Sequence, residues 1–131
     1  MTIDSSLSGA RILIVDDHED SRDLLELALR RFGATTVTAG SAEEAREHFV
    51  AFRPMLVISD IAMPDEDGCE LARRLSASPG AAGVTFWAAS AQCEAAEVER
   101  ALAAGFSRHF AKPLDFDALV GEVAALVEKR P

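Results

Sequence analysis

The most regular feature of the chain is a fivefold alternation between short apolar runs and longer segments in which apolar residues recur every three or four positions. The short runs predict β-strands and the longer segments predict amphipathic helices. The predicted strands are Arg11–Val15, Thr35–Ala39, Met55–Ser59, Val84–Ala89 and Phe106–Ala111. Strict alternation of strand and helix is typical of a parallel sheet that is covered by helices on both faces. The pattern therefore predicts an α/β fold.

Capping residues mark several ends of the predicted helices. Ser41, with Glu44 three residues later, forms the sequence of a capping box. Gly33 and Gly105 suit the left-handed conformation that closes a helix. The predicted helices are Asp20–Phe32, Ser41–Phe52, Cys69–Ser76, Glu94–Ala104 and Asp115–Lys129. The apolar face of the first helix is predicted to comprise Leu24, Leu25, Ala28, Leu29 and Phe32.

Length and composition predict one domain with a hydrophobic core. The chain has 131 residues, of which 49% are hydrophobic, and this length is typical of a single domain. The sequence contains no run of eighteen or more apolar residues, so no membrane-spanning helix is predicted. Residues Met1–Gly9 are polar and lack the features of a signal peptide. We expect them to form a flexible tail, with residues 10–131 as the folded domain.

The charge and the cysteines narrow the function classes. A net charge of −9 argues against nucleic acid as a partner, because a nucleic-acid surface requires a basic patch. The same negative charge argues against binding to anionic membranes. Cys69 and Cys93 lack the C-x-x-C spacing, so neither zinc nor a disulfide is predicted, and a reducing cytoplasmic location fits.

Charged residues follow three of the predicted strands. Asp16 and Asp17 follow the first strand, Asp60 follows the third, and Lys112 follows the fifth. Because the carboxyl ends of parallel strands share one edge of a sheet, we expect these side chains to meet. Carboxylates packed together repel one another and need a cation to remain ionised. The sequence therefore predicts a divalent-metal site with a lysine beside it.

That edge favours phosphoryl chemistry. Mg²⁺ prefers oxygen ligands and keeps several waters, so three carboxylates leave positions open for a phosphoryl group. A carboxylate can act as a nucleophile toward phosphorus, while a metal and a lysine neutralise charge on the transferring oxygens. Ser90, at the end of the fourth strand, can donate a hydrogen bond to another of these oxygens.

Together these motifs resemble the receiver domain of two-component response regulators, the CheY-like superfamily. The motifs are Asp16-Asp17, Asp60 followed by Met63-Pro64-Asp65-Glu66-Asp67-Gly68, Ser90-Ala91 and Lys112-Pro113. They occur in the family's order, and the resemblance covers Arg11 to Val127. It implies a doubly wound (βα)5 fold with a five-stranded parallel sheet in the flavodoxin-like order 2-1-3-4-5.

The resemblance also implies a phosphoacceptor and its metal. Asp60 would be the modified residue, receiving phosphate from a histidine kinase or a phosphotransfer protein. Asp17 and Asp60 would ligate Mg²⁺ directly with the backbone carbonyl of Ala62, and Asp16 would act through a metal-bound water. Ala62 also occupies a position that can orient the attacking water, and alanine cannot do so. His18 is expected to be a loop or helix-entry residue, with a metal role as the alternative.

Further roles concern the phosphate and the output. The resemblance implies that Lys112 pairs with the phosphate, that the bond from Lys112 to Pro113 is cis, and that Ser90 moves toward the phosphate. His109 would occupy the switch position that changes rotamer with Ser90. The alternative for His109 is a half-buried strand histidine with a satisfied hydrogen bond. Trp87 is predicted to belong to the core.

The expected function is a phosphorylation-dependent switch that acts on a downstream protein target through the surface around the fourth helix and the fifth strand. Such a domain would catalyse only its own phosphorylation and dephosphorylation, and would not be an enzyme with an external product. One alternative is a pseudo-receiver that serves as an interaction module without phosphorylation. Another is a Mg²⁺-dependent phosphohydrolase with an aspartate nucleophile. Both a stand-alone response regulator and a receiver fragment of a hybrid sensor kinase fit the sequence.

Overall fold

Strands and helices alternate throughout the part of the chain that the structure, a computed structural model, describes, which is residues 5–91 and 94–129. The strands are β1 (Arg11–Val15), β2 (Thr35–Ala39), β3 (Leu56–Asp60), β4 (Thr85–Ser90) and β5 (Arg108–Ala111). The helices are α1 (Glu19–Arg30), α2 (Ala42–Phe52), α3 (Gly68–Ser76), α4 (Ala95–Ala104) and α5 (Phe116–Glu128). Strand and helix alternate along the chain as predicted.

The five strands form one sheet in the order β2-β1-β3-β4-β5, and every pairing is parallel. This arrangement confirms the predicted doubly wound fold. All five residues of β3 are buried, as expected of a central strand with helices on both faces. The reversal of strand order at β1 places the ends of β1 and β3 side by side, where ligands bind in such folds.

Two hydrophobic clusters lie on opposite faces of the sheet. One joins the sheet to α2, α3 and α4, with Phe49, Leu71 and Ala101 among its members. The other joins it to α1 and α5 and includes Leu29 and Leu119. Burial of these side chains on both faces supplies the main driving force for folding. Trp87 is 3% exposed in the second cluster, which confirms that it is a core residue.

The predicted boundaries are exact for β1 and β2 and differ by one or two residues elsewhere. The strand β5 begins at Arg108 instead of Phe106, because the amide of Phe106 donates to the carbonyl of Ala101 and its side chain enters the core. Gly105 ends α4 in the left-handed conformation with φ 117°, as predicted. Ser41 caps α2 through a hydrogen bond from the amide of Glu44, which confirms half of the capping box.

One predicted core position is wrong. Leu24 was expected on the buried face of α1, but its side chain is 55% exposed. Leu25 and Leu29, by contrast, are buried against the sheet and α5. The buried stripe of α1 is narrower than the apolar pattern predicts, and Leu24 and Leu27 remain on the surface.

The segment before β1 packs on the domain over its described residues. Leu7 is fully buried in the α1/α5 cluster, and its amide donates to the carbonyl of Phe32 at 2.8 Å. Residues 5–9 therefore differ from the flexible tail that their polar composition predicts, because a single leucine anchors them. Residues 1–4 of that predicted tail lie outside the described residues.

Within the described residues, none of the helices has both the length and the apolar character needed to cross a membrane.

Candidate functional site

Two of the predicted acids lie buried at the carboxyl edge of the sheet. Asp60 is the last residue of β3, and Asp16 directly follows β1 and extends the pairing with β2 through its amide, which donates to Ala39. Each is only 6% exposed. Burial of a carboxylate is costly unless charge or hydrogen bonds compensate, so both residues need partners.

Lys112 is the partner that these two acids share. Its Nζ lies 2.8 Å from Asp16 Oδ2 and 3.2 Å from Asp60 Oδ2. Burial lowers the pKa of Lys112, but the hydrogen bond to Asp16 and the charge of Asp60 outweigh it and raise the pKa above its ordinary value. The ammonium group is therefore firmly charged and holds the ends of β1 and β3 together. The bond to Pro113 is cis, as predicted.

The remaining oxygens form a cluster of possible metal ligands. Asp16, Asp17, His18 and Asp60 each offer one ligand atom, and these atoms all lie within 4.8 Å of one another. Asp17 Oδ1 is buried and has no hydrogen-bond donor among the described residues. A divalent cation would satisfy this oxygen and offset the repulsion between the carboxylates. The oxygen-rich donor set fits an ion of the Mg²⁺ class.

The backbone around Asp60 orients its carboxylate. The amide of Ala62 donates to Asp60 Oδ1 at 3.2 Å, and the hydroxyl of Ser59 donates to the Asp60 carbonyl at 2.8 Å. Ala62 itself is exposed, at the rim of the site. With Lys112 on Oδ2 and the amide on Oδ1, both carboxylate oxygens have defined positions.

Ser90 and His109 lie beside the site on neighbouring strands. Ser90 is buried at the end of β4, one residue beyond Ala89, which is the register partner of Asp60. Its carbonyl accepts from the amide of Lys112 at 3.0 Å. His109 pairs in register with Ala88, two residues before Ser90, so both side chains project from the same face of the sheet. This arrangement is compatible with the predicted relay between them.

The Nε2 atom of His109 is buried and has no hydrogen-bond partner in the described part of the chain. This differs from the alternative of a strand histidine with a satisfied hydrogen bond. Gln92, which follows Ser90 by two residues, lies outside the described residues, as does Cys93.

The loop between β3 and α3 carries an acidic segment, Asp65-Glu66-Asp67, that binds three helices. Asp65 accepts from the amides of Ala42 and Glu43 at the start of α2. Burial raises the pKa of Asp65, but these and further backbone hydrogen bonds together outweigh burial and lower the pKa below its ordinary value. Glu66 pairs with Arg46 of α2 and with Arg74 of α3. Asp67 caps α3 through the Cys69 amide and also pairs with Arg100 of α4.

An apolar cavity opens beside Asp60. It has a volume of about 460 Å³ and lies between α1 and the loop from β5 to α5. Its wall includes Leu24, Pro113, Leu114 and Phe116, and Asp16, Asp60 and Lys112 also line it. The cavity gives a partner access to Asp60 along a mostly apolar path.

The structure thus brings together Asp16, Asp17, Asp60 and Lys112, as the strand-end pattern predicts. Sequence reasoning expected His18 to be a helix-entry residue. It does occupy the N-cap position of α1, but its ring also lies against the acid cluster. The capping of α2 by Asp65 was not predicted, since no local signal links residues 23 positions apart.

Comparisons with known proteins agree with the geometry. The family model described as the response regulator receiver domain matches residues 12–124. An uncharacterized 14.6 kDa protein of Leptolyngbya boryana is 36% identical over 110 residues, which are 84% of each chain. The probable chemotaxis protein CheY of Rhizobium etli is 32% identical and is matched over 91% of its length.

Longer relatives and solved structures also match. The virulence sensor protein BvgS of Bordetella pertussis is 40% identical over 120 residues, but the match spans only 9% of that protein. A solved receiver domain of a DNA-binding response regulator from Colwellia psychrerythraea superposes with a TM-score of 0.86 at 27% identity. That match covers 92% of this chain and 99% of the solved one. The chain therefore belongs to the family of response regulator receiver domains, the signalling modules of two-component systems.

Proposed function

We propose that Asp60 accepts a phosphoryl group from a phosphohistidine of a histidine kinase or phosphotransfer protein, in a Mg²⁺-dependent reaction. The observation that carries this proposal is the position of the Asp60 carboxylate. It lies at the mouth of an apolar cavity, within 3.2 Å of the Lys112 ammonium and inside a cluster of further acids. Asp16 shares the burial, the Lys112 contact and the cavity. The assignment to Asp60 therefore also rests on the family motif, in which the acceptor is the single acid at the end of β3.

Asp17 and Asp60, with the carbonyl of Ala62, would hold Mg²⁺ directly, and Asp16 would bind one of its waters. Bound there, the ion neutralises charge on the transferring phosphoryl oxygens. The unpartnered oxygen of Asp17 supports this assignment, since a buried carboxylate oxygen without a donor is costly.

The transfer itself is a displacement at phosphorus. An oxygen of Asp60 attacks the phosphorus atom while the bond from phosphorus to the imidazole nitrogen breaks. The imidazole leaves with the electron pair and takes up a proton, and Asp60 becomes an acyl phosphate. Lys112 contacts both Asp16 and Asp60. Its ammonium group would therefore keep the contact with Asp16 while it turns from the Asp60 carboxylate toward a phosphoryl oxygen.

Ser90 and His109 would carry the signal outward. The Ser90 hydroxyl would move to a phosphoryl oxygen, and the space it vacates would admit His109, whose Nε2 has no partner where it now lies. The downstream target would then read the surface of α4 and β5. Ala62 offers no side-chain group to orient water, and Gln92, two residues after Ser90, is the other candidate for that role. The lifetime of the aspartyl phosphate would therefore depend on Gln92.

The face around the cavity would dock the phosphodonor. Leu24 of α1 is 55% exposed and lines the cavity that leads to Asp60. Leu27 is 60% exposed and lies next to Leu24 on the surface of α1. Several relatives carry names such as virulence sensor protein and hybrid signal transduction histidine kinase. The match to both short and long relatives leaves open a stand-alone regulator and a receiver within a sensor kinase.

Labelling with acetyl phosphate tests the proposal. In the presence of Mg²⁺, we expect the wild-type protein to take up one phosphoryl group per chain. When a chelator removes the metal, we expect no labelling. Asp60→Asn should abolish labelling, whereas Asp23→Asn, an exposed acid of α1, should label normally. Wild-type protein that never labels would favour the pseudo-receiver. Sustained turnover of small phosphate esters would favour the phosphohydrolase.

A further inference from the structure

The imidazole of His18 lies against the acid cluster although most of its surface is exposed. Its Nδ1 is 3.3 Å from Asp17 Oδ1 and 3.5 Å from Asp16 Oδ1. The backbone fixes this position, because the amide of His18 donates to Asp16 Oδ1 at 2.9 Å. As the N-cap residue of α1, His18 has extended backbone angles, with φ −90° and ψ 111°. Its ring is therefore held at the mouth of the site by the same turn that presents both acids.

The spacing of these atoms is that of ligands around one ion. Two ligands at 2.0–2.1 Å from an octahedral ion stand about 3 Å apart when adjacent and about 4.2 Å apart when opposite. The ligand atoms of Asp16, Asp17, His18 and Asp60 all lie within 4.8 Å of one another, and Nδ1 falls at nearly the adjacent spacing from two of them. Small rotations of the side chains would bring the atoms of Asp17, His18 and Asp60 to a common centre, with Asp16 within reach of a water bound to the ion.

The pairing of Nδ1 with Asp17 Oδ1 also points to a cation. Despite the 3.3 Å separation, Asp17 Oδ1 receives no hydrogen bond from His18 or from any other described residue. The unprotonated nitrogen of an imidazole and a carboxylate oxygen both present lone pairs, so a metal ion can take the place of the proton that would otherwise join them. An ion between them would satisfy both atoms at once.

We propose that His18 is a nitrogen ligand of the metal site, so that the domain favours octahedral transition-metal ions that accept imidazole over Mg²⁺. This inference rests on the metal site of the proposed function. Imidazole suits ions such as Fe²⁺ and Ni²⁺, whereas Mg²⁺ prefers oxygen ligands alone. The nitrogen therefore adds affinity for the first class and little for Mg²⁺. The residue that directly follows Asp16 and Asp17, which is His18 in this chain, would therefore determine which ion binds at the site.

Calorimetric titration of tag-free protein with Ni²⁺ and Mg²⁺ tests the inference. We expect His18→Gln to weaken Ni²⁺ binding by about tenfold or more, and to leave Mg²⁺ binding within about twofold of wild type. His48→Gln is the matched control, because His48 is a surface histidine of α2 that pairs only with Glu44. It should leave the Ni²⁺ affinity of the acid cluster unchanged.

X-ray absorption of the Ni²⁺ complex of the His48→Gln protein gives a direct signature. The outer-shell scattering of an imidazole ring should be present, and should vanish when His18→Gln is added. Equal Ni²⁺ affinities with and without His18, a parallel loss of Mg²⁺ affinity, or spectra without imidazole scattering would each overturn the inference. Mg²⁺-supported labelling of Asp60 by acetyl phosphate, measured on the same samples, tests the proposed function independently of His18.

Discussion

Gly68 packs so tightly against the backbone of Asp60 that a Cβ atom at position 68 would overlap the Asp60 carbonyl oxygen. It would also lie 2.8 Å from the Cα of Ile61, closer than real Cβ atoms approach. The amide of Gly68 donates to the Ile61 carbonyl at 2.7 Å, so the two segments cannot separate without losing that hydrogen bond. The first turn of α3 thus rests directly on the backbone of Asp60, the proposed acceptor.

Gly68→Ala should therefore displace Asp60 as well as destabilise the fold. We expect a loss of about 1–3 kcal/mol in the free energy of unfolding, the usual cost of overpacking, and a marked loss of labelling by acetyl phosphate. Gly121→Ala is the control, because a Cβ atom there meets nothing within 4 Å in α5. It should stabilise the helix by up to about 1 kcal/mol. Normal labelling of Gly68→Ala protein would contradict the proposed positioning.

Lys112→Met should separate metal binding from phosphorylation. Loss of the ammonium leaves Asp16 and Asp60 without their shared cation, so a bound divalent ion becomes more favourable. We expect tighter Mg²⁺ binding by calorimetry but labelling that is at least about tenfold slower. Lys129→Met, an exposed lysine just after α5, should change neither property.

Lys112 also makes the stability of the fold depend on pH. The pKa of Lys112 is raised in the folded protein, so its contribution to stability is complete below the unfolded value near 10.5. It is lost only as the pH rises through the higher folded value. Chemical denaturation of wild type and Lys112→Met should therefore show a constant difference in the free energy of unfolding near neutral pH. The difference should shrink only in strongly alkaline solution, and a loss near pH 8 would contradict the assignment.

Asp65→Asn should show the opposite pH dependence. Burial raises the pKa of Asp65, but the backbone hydrogen bonds, led by those from the Ala42 and Glu43 amides, together lower it below the unfolded value of 3.8. Its contribution is therefore present above that value and is lost as the pH falls through the lower folded value. Asp65→Asn removes the charge but keeps an oxygen that can accept, so we expect a cost of about 0.3–1 kcal/mol at pH 7, as for an anion at a helix N-terminus. The cost should fade below pH 3.8, whereas Asp23→Asn, at an exposed position in the middle of α1, should change the free energy of unfolding little at pH 7.

Leu24→Ala should weaken transfer from a protein donor while leaving small-molecule labelling intact. If Leu24 lies in the docking face, its truncation should slow transfer from a phosphorylated phosphotransfer protein by about tenfold. Labelling by acetyl phosphate should not change. Val50→Ala is the matched control, because Val50 of α2 is also an exposed aliphatic residue, at 70% exposure. Equal slowing with both donors would point to a defect at Asp60 and not at the docking face.

The sequence predicts those parts of this molecule that depend on local periodicity and on strand ends. The continuous apolar runs before Asp16 and Asp60 place both acids at one edge, and the structure has them joined by Lys112. The order of the sheet followed from the family resemblance, and it is confirmed.

What the sequence does not predict depends on the packing of distant segments. Leu24 and Leu25 are indistinguishable by type, yet only Leu25 meets the sheet. Leu7 sits in a polar segment and is buried because a groove beside α1 receives it. The contact of Asp65 with the start of α2 arises because two loops meet at one end of the sheet.

The acidic segment of the β3–α3 loop, residues 65–67, makes ionic strength a shared control of the region around the acceptor. All three carboxylates act on partners in other parts of the fold, and each attraction at the surface weakens as salt screens it. Screening by salt would therefore weaken the contacts of residues 65–67 with α2, α3 and α4 at the same time. Salt concentration would then affect how firmly the segment after Asp60 holds these three helices.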